Sequence, residues 1–106
     1  MRVDQIIQYH AAQRPANLAL TLGASALSYA DLNSRACQVA NALAEEGIGA
    51  GERVAIFGEN SIDHVVLMLA AAKIGAVTVP INYRLAGPEL TFVIDDCEAR
   101  LLVVPD

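Results

Sequence analysis

Hydrophobic residues along the chain form two patterns. Some recur at helical spacing, and others form short uninterrupted runs. Apolar residues recur every three or four positions, or fill a segment completely, in stretches that predict four helices. The helices are Val3–Gln13, Tyr29–Glu46, Ile62–Ile74 and one starting at Gly87-Pro88, with Leu90, Val93, Ile94 and Cys97 on its apolar face. Short aliphatic and β-branched runs predict five strands. The strands are Leu18–Leu22, Ala26–Ser28, Arg53–Phe57, Ala76–Pro80 and Leu101–Val104.

The order of these elements predicts the fold class. Leu18–Leu22 and Ala26–Ser28 flank a short Gly-Ala-Ser turn and are expected to form a hairpin. The later strands alternate with helices, a pattern typical of parallel sheets. We therefore predict an α/β fold of mostly parallel strands alternating with helices, plus a short N-terminal hairpin, with Leu101–Val104 as an interior strand.

Local signals support the predicted helix ends. Ser28, followed three residues later by Asp31, resembles a capping box, and Asn60 or Ser61 is placed to cap the third helix. Gly75 is expected to end that helix. From Val65 to Ala72 the helix has no polar face, so it needs cover on nearly all sides.

Composition sharpens this requirement. The chain has 106 residues, and 55% are hydrophobic before glycine is counted, whereas ordinary soluble domains have about 45–50% with glycine included. A chain this short hides less of its surface than a long one. We infer that part of the apolar surface is covered by protein outside these 106 residues.

The charge, the apolar run lengths and the cysteine content argue against several classes of protein. Twelve acidic and seven scattered basic residues give a net charge of -5, which argues against nucleic-acid binding. The uncharged run Val65 to Ala72 is shorter than the roughly 20 residues that cross a bilayer, and Met1–Ile7 lacks the features of a secretory signal. Cys37 and Cys97 belong to no metal-binding motif, so two reduced cysteines in a cytoplasmic protein are expected.

One turn has the position of a phosphate-binding loop. Phe57–Ser61 joins a predicted buried strand to a helix, but it contains one glycine, and Glu59 would repel an anion. A plain helix N-cap is favoured over phosphate binding.

Ser61 and His64 share a helical face near Asp63, yet neighbours on a helix diverge, so a catalytic triad is disfavoured.

The remaining candidates are isolated charges. Glu45-Glu46 and Asp95-Asp96 are adjacent acidic pairs, and we expect them to be solvated, since catalytic carboxylates must converge across a cleft. Lys73 is the only lysine and is expected to favour the helix dipole, with a Schiff-base role as the alternative. Arg84 follows a strand end, where it is placed either to bind a phosphate or carboxylate or to form an ion pair.

Six segments in sequence resemble the N-terminal region of the AMP-forming acyl-CoA synthetases, within the superfamily of adenylating enzymes that includes luciferase. They are Leu27–Asn33, Ala40–Leu43, Gly51–Ile56, Glu59–Ser61, Lys73–Val77 and Val79–Asn82. Each is weak alone, but their order and intervals over nearly the whole chain are specific. Gly75–Arg84 is more similar to fatty-acyl and aryl CoA ligases than to peptide-synthetase adenylation domains.

The resemblance implies a two-step reaction. ATP and a fatty or aryl carboxylic acid give an acyl-adenylate and pyrophosphate, and coenzyme A then displaces AMP. The family's lysine-bearing loop, its acyl pocket, its Mg²⁺-binding acidic residue and its catalytic lysine all lie beyond the region matched here. The one contact that the resemblance implies is Arg84 near the nucleotide end of coenzyme A, and a structural role for this arginine stays open.

These observations favour one hypothesis and leave two others. We expect residues 1–106 to be a partial N-terminal subdomain of a cytoplasmic acyl-CoA synthetase of fatty acid metabolism, inactive alone and without bound cofactor. The alternatives are a standalone interaction module that self-associates through exposed apolar surface, and a small nucleotide-binding protein, which the missing glycine fingerprint disfavours.

Overall fold

The computed structural model describes residues 3–58, 61–81 and 87–103. The helices are α1 (Val3–Gln13), α2 (Tyr29–Glu45), α3 (Ile62–Ile74) and α4 (Gly87–Cys97). The strands are β1 (Leu18–Leu22), β2 (Ser25–Ser28), β3 (Arg53–Phe57), β4 (Val77–Ile81) and β5 (Leu101–Val103). Each predicted element is present, and within the described ranges its bounds lie within one residue of the prediction.

The described strands form two sheets, as the alternation of elements predicted. β1 and β2 pair antiparallel, and β4, β3 and β5 form a parallel sheet in that order. Ile56 lies at the centre, in register with Pro80 of β4 and Val103 of β5. β3 is thus the interior strand, whereas β5, expected to be interior, lies at an edge of the described sheet. The burial agrees, because Ile56 is buried while Leu102 of β5 is exposed.

Helices α2 and α3 cover one face of this sheet. Val54 and Ile56 of β3 pack against Leu67 and Ala70 of α3 and against apolar residues of α2. Alternation along the strand directs Ala55 to the opposite face, where it is also fully buried. A strand buried on both faces explains the continuous apolar run that predicted a buried parallel strand.

A second cluster ties the hairpin to the helices. Leu27 of β2 packs with Leu32 and Ala36 of α2 and with Val66 and Leu69 of α3. Residues of α1 and β1 join its periphery. The hairpin therefore extends the helical layer and does not pair with the parallel sheet.

Helix caps explain where the elements start and stop. The N–H of Asp31 donates to Ser28 Oγ at 3.2 Å, which confirms the predicted cap of α2. At the end of α3, Gly75 is left-handed with φ 75°, and the N–H of Ala76 donates to the carbonyl of Ala71 at 2.9 Å. This bond belongs to a Schellman-type helix end. Ala76 is thereby held by the helix, so β4 starts one residue later than predicted.

Helix α3 receives most of the cover that its composition requires. Five of its residues are buried, and they are Val66, Leu67, Leu69, Ala70 and Ala71. Met68 is the exception, since 45% of its surface is exposed. The described part of the chain therefore leaves this apolar helix open at Met68.

Candidate functional site

The carboxyl ends of the parallel strands meet at one edge of the sheet, which is where open α/β sheets bind ligands. Phe57, Ile81 and Val103 end the three strands there. Residues 59–60 and 82–86, which follow the first two strands, lie outside the described residues. Arg84, the predicted coenzyme A contact, is among them, as is Glu59 of the candidate phosphate loop.

Ser61 is the N-cap of α3 at this edge. Its hydroxyl oxygen accepts a hydrogen bond from the backbone N–H of His64 at 3.2 Å, and its backbone is extended. This confirms the N-cap prediction and selects Ser61. The contact joins the hydroxyl to the backbone of His64 and not to its ring, while Asp63 is exposed. The described geometry thus places these three residues in a helix start, as the spacing argument favoured.

An apolar depression lies between α3 and the edge strand β4, and we call it the α3–β4 groove. It is open and has a volume of about 270 Å³. Its lining consists of Ile56, Ser61, His64, Val65, Met68, Thr78 and Pro80. No acidic side chain, lysine or arginine is among these residues. The groove therefore suits an apolar group and not an ion.

One residue that lines the groove has a buried polar atom without a hydrogen-bond partner among the described residues. His64 Nε2 is buried and forms no hydrogen bond within the described part of the chain. A buried ring nitrogen without a partner is costly, because it loses water without a replacement. This atom is covered by the surrounding protein, so it adds no accessible polar surface to the groove.

Sequence reasoning missed this groove, although its parts carried a signal. His64, Val65 and Met68 lie within one turn of α3, and Thr78 and Pro80 alternate on β4 in register with Val54 and Ile56. These positions indicate the two walls only once α3 is known to pack over β3 and β4. The spacing of residues along the chain does not give that packing.

A second depression is polar and lies between the hairpin and the start of α3. Arg35 of α2 and Asp63 of α3 line it together with Ser25 and Ser61. The two charges are of opposite sign, so they do not form an anion site or a cation site.

The isolated charged residues that the structure describes are either exposed to solvent or bonded to a neighbouring helix. Glu45, Glu46, Asp95 and Asp96 are exposed, in agreement with the solvated-surface interpretation. Lys73, in the last turn of α3, donates from Nζ to Asn33 Oδ1 of α2 at 3.0 Å. This hydrogen bond makes the only lysine a link between two helices.

The opposite edge of the sheet holds a set of contacts that the sequence did not predict. Glu52 Oε1 accepts from the N–H of Gly49 at 2.9 Å, and Arg100 Nη1 donates to Glu52 Oε2. The N–H of Val77 donates to the carbonyl of Glu52 at 2.8 Å. Because Glu52 and Arg100 directly precede parallel strands, their positions carried a usable signal. These contacts lie at the amino edge of the sheet. They hold the strands together on the side opposite the expected ligand site.

The described residues contain neither a metal-binding cluster nor a membrane-spanning helix. No group of three or more histidine, cysteine, aspartate and glutamate side chains is placed to hold a metal ion among residues 3–58, 61–81 and 87–103. No helix in the described part of the chain has the length and apolar character needed to cross a membrane.

The fold agrees with the class of protein that the sequence resembles. An α/β unit with a three-stranded parallel sheet and an added hairpin is the arrangement expected for the N-terminal part of an adenylate-forming enzyme. Residues 7–106 match the family described as AMP-binding enzyme. The chain belongs to this family.

Individual relatives come from two branches of the family. The chain is 42% identical over 77 residues to the long-chain-fatty-acid–CoA ligase FadD13 of Mycobacterium tuberculosis, covering 73% of this chain and 15% of FadD13. It is 36% identical over 104 residues to surfactin synthase subunit 2 of Bacillus subtilis, covering 98% of this chain and 3% of that protein. The chain thus spans a small part of the relatives that it matches.

A solved structure agrees with the fold. The inhibitor-bound N-terminal domain of FACL13 from Mycobacterium tuberculosis superposes with a TM-score of 0.91 at 33% sequence identity. The match covers 97% of this chain and 26% of that one. The predicted family and fold class are therefore confirmed.

Proposed function

We propose that residues 1–106 are a partial N-terminal subdomain of an acyl-CoA synthetase. In this proposal the complete enzyme uses ATP to convert a fatty or aryl carboxylic acid to an acyl-adenylate, releasing pyrophosphate, and the thiol of coenzyme A then displaces AMP. The observation that carries the proposal is the match of residues 7–106 to the AMP-binding enzyme family. The similarity to the FACL13 N-terminal domain supports the same assignment.

The choice of coenzyme A as the acyl acceptor is the finer part of the proposal. It is supported by the 42% identity to FadD13 and by the similarity of Gly75–Arg84 to fatty-acyl and aryl CoA ligases. The competing acceptor is a carrier-protein thiol, because peptide synthetases are also among the relatives. We further propose a cytoplasmic location, in keeping with the free thiol of Cys37.

The complete protein encoded by the reading frame that carries this chain tests the reaction. We expect carboxylate-dependent exchange of pyrophosphate into ATP, with Mg²⁺ present, and formation of an acyl-CoA that mass spectrometry detects. A panel of fatty and aryl acids identifies the substrate. Acylation of a phosphopantetheinylated carrier protein in place of coenzyme A would contradict the choice of acceptor. Absence of exchange with every acid would contradict the proposal itself.

The 106-residue chain alone is proposed to be inactive. Among the residues that the structure describes, no acidic cluster is placed for a metal ion, and the family's lysine-bearing loop has no counterpart in the sequence. The same exchange assay on the isolated chain is expected to give the background rate. Exchange above background would overturn this part of the proposal.

Arg84 is proposed to contact the nucleotide end of coenzyme A in the complete enzyme. Removal of an arginine–phosphate contact is expected to cost about tenfold in affinity. The variant Arg84→Ala should therefore raise the KM for coenzyme A about tenfold while pyrophosphate exchange, which precedes coenzyme A, stays unchanged. Arg14→Ala, at an exposed arginine after α1, is the control. An unchanged KM for coenzyme A would assign Arg84 a structural role.

A further inference from the structure

We draw no further inference here: the strongest candidate, the polar depression between the hairpin and the start of α3, carries nothing because its two charged side chains, Arg35 and Asp63, are exposed and nothing in the described part of the chain shows what ligand would occupy it.

Discussion

Lys73 Nζ of α3 lies 3.0 Å from Asn33 Oδ1 of α2, and this hydrogen bond joins the two helices that cover the sheet. The contact is half-buried and spans 40 positions of sequence. A hydrogen bond from a charged donor is worth more than one between neutral groups, since the charge strengthens it. The pair therefore fixes α3 against α2 beside the core contacts.

Loss of either partner should lower the free energy of unfolding. We expect Lys73→Met and Asn33→Ala each to cost about 1 kcal/mol, and the double variant to cost little more than one of them, because the same bond is removed. Urea titration of the protein carrying this chain measures all three. Arg35→Met, at an exposed position of α2, is the control and should change stability by less than about 0.5 kcal/mol. Additive costs would show that the two residues do not interact.

Ile56 should be among the most sensitive core positions. It lies on the central strand with 2% of its surface exposed and packs against both α2 and α3. Ile56→Ala is expected to cost about 2–5 kcal/mol, because it removes buried carbons and leaves a cavity between the sheet and the helices.

The control for Ile56→Ala is Leu102→Ala on the edge strand β5. Leu102 is 37% exposed, so its truncation removes less buried surface and should cost about 1 kcal/mol. Denaturant titrations of both variants measure the difference. Equal costs would mean that burial in the described fold does not govern stability at these positions.

Gly75 should resist substitution. Its φ of 75° is in the left-handed region, and an added Cβ would lie 3.3 Å from Ala50 Cβ. Gly75→Ala is expected to cost about 1–2 kcal/mol through backbone strain. Gly87→Ala is the matched control, because an added Cβ there meets no atom of the described residues within 4 Å. Its effect should be neutral or slightly stabilising, and thermal unfolding of the two variants tests this contrast.

Ser61 should contribute to stability as a helix cap. Its hydroxyl satisfies the N–H of His64 at 3.2 Å, so Ser61→Ala should cost about 1 kcal/mol, while Ser61→Asp should retain most of the stability. Ser34→Ala, on the exposed face of α2, is expected to be neutral or stabilising because alanine favours helix interiors. If Ser61→Asp is as unstable as Ser61→Ala, the cap is not the source of the effect.

Local signals predicted most element ends because the physics behind them is local. Ser28 and Ser61 cap helices through bonds to residues three positions away, and Gly75 ends α3 through its own backbone conformation. The one-residue shift of β4 has a local cause too, which is the bond from Ala76 back to Ala71. The spacing of apolar residues did not predict this hydrogen bond, because it indicates only which positions are apolar.

By itself the sequence determined the order and type of the elements, the α/β class, the parallel pairing and the family resemblance, since spacing, caps and motif order are properties of neighbouring residues. Only the tertiary structure decided that β3 is central, that Lys73 bonds to Asn33, and that Glu52 and Arg100 meet across the amino edge. It also decided that Met68 and His64 face the β4 wall as one groove. Those relations join residues far apart in sequence, and they depend on how helices pack on a sheet, which no local pattern specifies.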